Sequence, residues 1–229
     1  MSLKNIAQET NAQQHIAKQN KQRSFSAAFF VALKTVKGGI QLKEKQELRK
    51  EIREKLKQIP KPLYEHYSYT IAQELYKDPV WQSASVIGIT ISIPPEVDTY
   101  QIIRTAWAEG KKVAVPKCMA VEKLLDFRIL QRFNQLESVY FGLLEPIPAE
   151  TEPIETEDID LLIVPGIAFT KNGYRMGVGG GFYDRFLQHY HGRTLSLAFT
   201  EQLVAEVPIE AHDIPVEKII TNEGSYSRS

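Results

Sequence analysis

The stretch of the chain best suited to chemistry is a glycine-rich segment that runs from Arg175 to Arg185. It reads Arg-Met-Gly-Val-Gly-Gly-Gly-Phe-Tyr-Asp-Arg and places four glycines within five positions. An apolar run at residues 161–165 precedes it, and a helical pattern of apolar side chains follows it. Glycines between a strand and a helix let the backbone approach a ligand, and the helix directs free N–H groups to the same place. The segment therefore predicts an anion site, and phosphate is the usual anion.

The spacing within this segment differs from that of the two common phosphate-binding motifs. A Walker A loop needs lysine and then serine or threonine where Phe182 and Tyr183 stand, and a dinucleotide-binding loop needs a third glycine at position 182. A flexible loop is the alternative for any glycine cluster. The charged residues on either side, Arg175 and Asp184, favour the phosphate site.

Asp184 falls in the first helical turn after the glycines, beside the predicted phosphates. A carboxylate there repels phosphate unless a divalent cation lies between them, so we predict that Asp184 binds Mg²⁺. The alternative is an aspartate that only stabilises the N-terminal end of the helix.

The glycine-rich segment resembles the signature of the 5-formyltetrahydrofolate cyclo-ligase family (methenyltetrahydrofolate synthetases). Three further stretches are similar to the family in the right order: residues 45–49 resemble its N-terminal nucleotide-binding helix, residues 94–99 its folate-side loop, and residues 197–202 a late strand and its exit. The resemblance covers about residues 43–222. Some members carry basic residues where this chain has Val178 and Gly180, and tryptophan where it has Phe141.

The resemblance implies ATP-dependent ring closure of 5-formyltetrahydrofolate to 5,10-methenyltetrahydrofolate, with ADP and phosphate as products. It implies an ATP side that consists of Lys45, Arg49, Arg175, Gly177, Val178, Gly179, Gly180, Gly181, Phe182, Tyr183 and Asp184, with Mg²⁺ on Asp184. It implies a folate side that consists of Glu96, Phe141 and Tyr183. The catalytic residues would be Arg175, Tyr183 and Asp184.

Several of these assignments have a simpler alternative. Lys45 and Arg49 lie four residues apart on one helix face, which suits a pair of phosphate ligands but is also common on solvated helices. Glu96 either accepts hydrogen bonds from the pterin or is a solvated loop carboxylate. Phe141 either stacks on the flat pterin or packs in the core, and Tyr183 either orients the N10 side of the folate or only packs.

The elements that must position these residues alternate between strand and helix. Residues 85–93 and 112–116 are rich in Val and Ile and flank a helical pattern that ends at Gly110, which is typical of a parallel sheet with covering helices. Residues 124–130, 161–165, 195–199 and 216–221 add further strands. We expect a three-layer α/β/α sandwich with a mainly parallel, Rossmann-like sheet, and ligands beyond the carboxyl ends of its strands. Glu96 and Lys117 fall at such ends.

The length and charge of the chain limit the number of domains and the kinds of partner that it can have. The 229 residues suit one domain, or one domain with an appendage, and 28 basic residues balance 28 acidic ones. Nothing global therefore indicates a nucleic-acid or membrane partner, and we expect a monomer or weak dimer whose partners are reduced folate and ATP. Cys118 is the single cysteine, which excludes an intrachain disulfide and a Cys-based zinc site and fits a cytoplasmic protein.

Residues 1–40 differ from the rest in holding six basic residues and one acidic residue. We interpret them as an extension or leader outside the family fold, followed by a single domain at 41–229. A transit peptide is the alternative and would make the protein organellar. Two rival functions remain open: another ATP-using α/β enzyme such as a small-molecule kinase, and a non-catalytic folate- or nucleotide-binding module. The lack of basic residues at positions 178 and 180 favours the second.

Overall fold

The computed structural model describes residues 43–139, 142–210 and 213–228. The chain divides into two compact units, Met1–Gln46 and Glu47–Ser229, and the sheet lies in the second. The predicted extension at residues 1–40 and the predicted pterin-stacking Phe141 lie outside the described residues. Within the described part, no helix is both long enough and apolar enough to cross a bilayer.

Five α-helices lie among the described residues. They are α1 (43–57), α2 (Lys61–Lys77), α3 (Pro79–Ser83), α4 (Tyr100–Ala108) and α5 (Phe182–Leu187). The apolar stripe of α1 is buried at Ile52 and Leu56, as its four-residue spacing predicts. Gly110 has a φ of 76° just beyond α4, a backbone conformation that favours glycine at a helix end.

Twelve short strands run through the described residues. They are β1 (Val86–Gly88), β2 (Lys112–Met119), β3 (Leu124–Ile129), β4 (Leu136–Ser138), β5 (Leu144–Pro146), β6 (Glu152–Pro153), β7 (Leu161–Ile163), β8 (Ala168–Phe169), β9 (Arg175–Met176), β10 (Arg193–Leu197), β11 (Lys218–Thr221) and β12 (Gly224–Ser227). Eight of them form one sheet in the order β12-β11-β10-β7-β1-β2-β3-β6. The five strands from β11 to β2 are parallel neighbours, and the outer strands β12, β3 and β6 pair antiparallel. The mainly parallel α/β sheet is thus confirmed.

Both faces of this sheet are buried, and successive residues of its strands alternate between them. Leu161 and Ile163 of β7 belong to one core cluster, which they share with apolar side chains of α1, α2 and α4. Leu162 belongs to a second cluster, where Leu187 of α5 and nearby Tyr190 pack. The two helical layers therefore differ in size, because within the described residues one short helix, α5, covers the second face of the sheet.

The structure differs from the predicted elements where strands are shortest. The predicted strand at 85–93 pairs with both neighbours only over Val86–Gly88, and its remainder is extended backbone that leads to the loop of Glu96. Two small hairpins, β4–β5 and β8–β9, were not predicted. Strands of two or three residues show too little alternation for a period of two to be recognised.

Candidate functional site

The glycine loop, residues 177–181, follows a hairpin rather than a sheet strand. Hairpin β8–β9 lies between sheet strand β7 and the loop, and α5 begins directly after Gly181. Gly179 has a φ of 115° and Gly181 a φ of 66°, so both positions require conformations that other residues rarely adopt. Helix α5 has only six residues, so the loop backbone and nearby cations must supply most of any anion binding.

Helix α1 reaches the glycine loop through Arg49. Its Nε donates a hydrogen bond to the carbonyl oxygen of Gly177 at 2.9 Å. A Cβ at Gly179 would lie 3.6 Å from the Nη2 atom of the same arginine. Partial burial and the charge of Arg53 lower the pKa of Arg49 from 12.5. The structure therefore brings two predicted ATP-side segments together, and Lys45 lies four residues before Arg49 in the same helix.

Arg175 and Asp184 form an ion pair beneath the glycine loop. The Arg175 side chain is 3% exposed and donates from Nη2 to Asp184 Oδ1 at 2.7 Å. Its Nη1 donates to the carbonyl oxygen of Ile214 at 2.7 Å. Burial lowers the pKa of Arg175, while Asp184 and Asp213 oppose that shift. The two residues that the sequence assigned to phosphate and to Mg²⁺ thus contact each other.

Tyr183 points inward from α5. Its hydroxyl is inaccessible to solvent and has no hydrogen-bond partner in the described part of the chain. Burial raises its pKa, the nearby Cys118 and Glu96 raise it further, and Arg175 opposes them. An unpaired hydroxyl at this depth is costly, so it suits a position that a ligand completes.

Glu96 lies in the loop that follows the extended residues after β1. Its Oε2 accepts a hydrogen bond from Ile93 N at 3.1 Å. Glu96 is exposed, yet desolvation by the surrounding protein raises the pKa of its carboxyl group, and the Ile93 bond and Arg53 oppose this shift. Arg53, which we did not predict, lies four residues after Arg49 in α1. That spacing on one helix face was the signal available in the sequence.

Strand β2 carries Lys117 and the single cysteine, Cys118. Lys117 Nζ lies 2.8 Å from Glu137 Oε1 and 3.7 Å from Glu145 Oε2, so it joins hairpin β4–β5 to the main sheet. Burial and the neighbouring Glu145 raise the pKa of Cys118 to about 12. The thiol therefore stays protonated at neutral pH and is a poor nucleophile.

No cluster of three or more metal-ligating side chains occurs among the described residues. A single carboxylate still fits Mg²⁺ that is bound to nucleotide, because phosphates and water supply most of its ligands. Asp184, with a side chain 28% exposed, is such a carboxylate. A separate cleft of about 460 Å³ is lined by the ion pairs Lys218–Asp78 and Arg193–Glu217 and by none of the predicted site residues.

The sequence model of the 5-formyltetrahydrofolate cyclo-ligase family matches residues 41–222. The chain belongs to this family. It is similar to a 5-formyltetrahydrofolate cyclo-ligase of Mus musculus, 27% identical over 194 residues that cover 80% of this chain and 96% of the relative. A mitochondrial cyclo-ligase of Arabidopsis thaliana is 27% identical over 210 residues, which cover 80% of this chain and 75% of the relative. The NMR structure of Aquifex aeolicus 5,10-methenyltetrahydrofolate synthetase matches with a TM-score of 0.71 and 28% identity, over 80% of this chain and 92% of that one.

Proposed function

The chain is a 5-formyltetrahydrofolate cyclo-ligase, and we propose that its reaction takes place at the glycine loop. The activity of the family is closure of 5-formyltetrahydrofolate to 5,10-methenyltetrahydrofolate, with ATP as co-substrate. The hydrogen bond from Arg49 to Gly177 carries the placement, because it holds a cation beside the exposed backbone of the loop. ATP phosphates would contact Gly177, Val178, Gly179, Gly180, Gly181, Phe182 and Tyr183, with Lys45 and Arg49 as cationic ligands.

The chemistry explains why such a site is needed. The formyl group is amide-like and a poor electrophile, so transfer of the γ-phosphoryl group to its oxygen creates a leaving group. N10 of the folate then attacks the activated carbon of this iminium phosphate and loses its proton, the ring closes, and the bond between that carbon and the phosphate oxygen breaks as phosphate leaves. Positioned cations that stabilise charge on the transferring phosphoryl group supply most of the catalysis in such reactions.

Asp184 would hold Mg²⁺, whose chemistry is to neutralise charge on the phosphates. Arg175 orients this carboxylate through its 2.7 Å ion pair. We expect Arg175 also to contribute its charge to the phosphates, since its guanidinium lies 2.7 Å from Asp184. The buried pair limits the motion of both side chains and so supports their assignment as catalytic residues.

The folate side would lie between the loop of Glu96 and the inner end of α5. Glu96 would accept hydrogen bonds from the amino and ring N–H groups of the pterin. The unpaired hydroxyl of Tyr183 would bind the N10 side of the substrate. Phe141 remains our prediction for a ring that stacks on the pterin. The influence of Glu96 on the pKa of Tyr183, which it raises, supports this placement.

The reaction itself is tested by mixing the protein with Mg-ATP and 5-formyltetrahydrofolate at mildly acidic pH and following the near-ultraviolet absorbance of methenyl-folate. We expect an absorbance rise that requires ATP, with free phosphate released in equal amount. A stable phosphorylated product would indicate a kinase, and no turnover at all would indicate a binding module.

The assembly of the protein and its location in the cell have separate tests. We propose a monomer or weak dimer, to be measured by sedimentation at several protein concentrations. We also propose that the protein acts in the cytoplasm, with an organelle as the alternative if residues 1–40 are a transit peptide. Fluorescent fusions with and without residues 1–40 distinguish the two locations.

A further inference from the structure

We propose that Arg185 is a positioning residue that fixes the glycine loop in its ATP-binding conformation. Its Nη2 donates to the carbonyl oxygen of Gly180 at 2.6 Å, and its Nε donates to the carbonyl oxygen of Lys123 at 3.2 Å. One guanidinium thus joins the glycine loop to the turn between β2 and β3. The inference rests on the proposed placement of the ATP phosphates.

The loop needs such a tether because of its composition. Residues 177–180 are exposed, and glycines lose more conformational freedom on ordering than any other residue. Arg49 holds one end of the loop at Gly177, and Arg185 holds the other end at Gly180. A Cβ at Gly181 would lie 3.2 Å from Arg185 Nη1, so the guanidinium occupies the space beside that glycine. Backbone that is already ordered loses less entropy when phosphate binds.

The turn that receives the second bond has an unusual backbone. Among the described residues, Lys123 is the one non-glycine residue with a positive φ, at 57°. Such a conformation usually persists only where surrounding contacts hold it, and the bond from Arg185 to the Lys123 carbonyl is one of them. Only the backbone of Lys123 takes part in this bond.

The bridge also requires arginine rather than any cation. A guanidinium presents several N–H donors in a rigid fork, so it can bind two carbonyls that belong to different segments. A lysine ammonium is a single point on a flexible chain and would bind one carbonyl with less directional control. Arg185→Lys should therefore retain the charge but lose the bridge.

The experiment compares Arg185→Ala, Arg185→Lys and Lys123→Pro with wild type. We measure kcat, the KM for ATP, the KM for 5-formyltetrahydrofolate and the thermal midpoint. We expect Arg185→Ala to raise the KM for ATP about tenfold, because hydrogen bonds from a charged donor are lost. Arg185→Lys should recover part of that loss. Lys123→Pro should reproduce part of it with Arg185 intact, since proline cannot adopt the φ of this turn. Arg193→Ala, which removes an exposed arginine ion-paired to Glu217, is the matched control.

A change limited to the KM for ATP, at a nearly constant thermal midpoint, separates positioning from a general loss of stability. The proposal is overturned if the KM for ATP of both Arg185 variants stays within about twofold of wild type. A rise in the KM for 5-formyltetrahydrofolate alone would also overturn it, because the loop would then serve the folate. An inactive wild type would instead refute the proposed function.

Discussion

At the scale of single residues, the pairing of Arg175 with Asp184 changes what each can do. A carboxylate that already has a buried cationic partner is held in one place, and the Mg²⁺ that we propose there would share this carboxylate with Arg175. The same pair is also structural, because removing Asp184 leaves the buried charge of Arg175 without its carboxylate partner. Substitutions at these positions must therefore be assessed for stability as well as for activity.

Asp184→Asn separates these two contributions. Asparagine keeps an oxygen that can accept the bond from Arg175, so the thermal midpoint should fall less than in Asp184→Leu. We expect kcat to drop by at least about a hundredfold, judged against the ~3–4 kcal/mol typical of a lost electrostatic group at a reacting centre. Part of the loss should return at high Mg²⁺, measured as kcat against Mg²⁺ concentration. Near-normal kcat with an unchanged Mg²⁺ requirement would remove the metal from Asp184.

Glu96→Gln tests a carboxylate whose ionisation opposes folding. In the folded protein the pKa of Glu96 is raised above its ordinary value of 4.5. The contribution of this carboxyl group to the free energy of unfolding is therefore full below pH 4.5, and it is lost as the pH rises through the higher pKa of the folded state. The neutral variant should therefore be at least as stable as wild type at pH 7, and the difference in thermal midpoint should narrow below pH 4.5.

The same substitution should impair folate binding. We expect the KM for 5-formyltetrahydrofolate to rise about tenfold or more, because hydrogen bonds to a charged acceptor are lost, while the KM for ATP stays unchanged. Glu157→Gln, at an exposed position in a 3-10 turn, controls for the loss of one surface charge. An unchanged folate KM would leave Glu96 as a solvated loop residue.

At the scale of elements, hairpin β8–β9 supports the site. Its turn contains Gly173, whose carbonyl accepts from Val216 N at 2.9 Å. This contact lies beside Ile214, which accepts the bond from Arg175. The hairpin thus joins the glycine loop, through Arg175, to the segment that precedes β11.

Gly173→Ala should disrupt this junction. Gly173 has a φ of 89°, and a Cβ there would lie 2.2 Å from the carbonyl oxygen of Val216. Gly110→Ala is the matched control, because Gly110 has a φ of 76° with nothing within 4 Å of its Cβ. We expect Gly110→Ala to lose about 1 kcal/mol of unfolding free energy and Gly173→Ala about 3 kcal/mol or more, from denaturant titration. Equal losses would show that the backbone of Val216 shifts easily.

For the whole molecule, the question to test is which part of the chain is needed for activity. The family model begins at residue 41, which coincides with the change in composition after residue 40. We expect a variant that starts at Gln41 to keep kcat and both KM values within about twofold of the full chain. A large loss of kcat/KM, with circular dichroism unchanged, would place residues 1–40 in the active site.

Both the parallel α/β sheet and the glycine loop were visible in the amino-acid sequence. Buried parallel strands are near-continuous apolar runs, and the helices between them show a four-residue repeat, so both are visible locally. The glycine loop was equally visible, because Gly179 and Gly181 have positive φ values, which favour glycine over other residues.

Only the tertiary structure decided how these pieces meet. The chain order does not reveal that Arg175 pairs with Asp184, that Arg53 lies near Glu96, or that Arg185 reaches the carbonyl of Lys123, 62 residues away in sequence. The partner of a long charged side chain cannot be predicted from a periodic pattern in the sequence. The contact is set by the packing of separate elements, which brings the charged group and its partner close together.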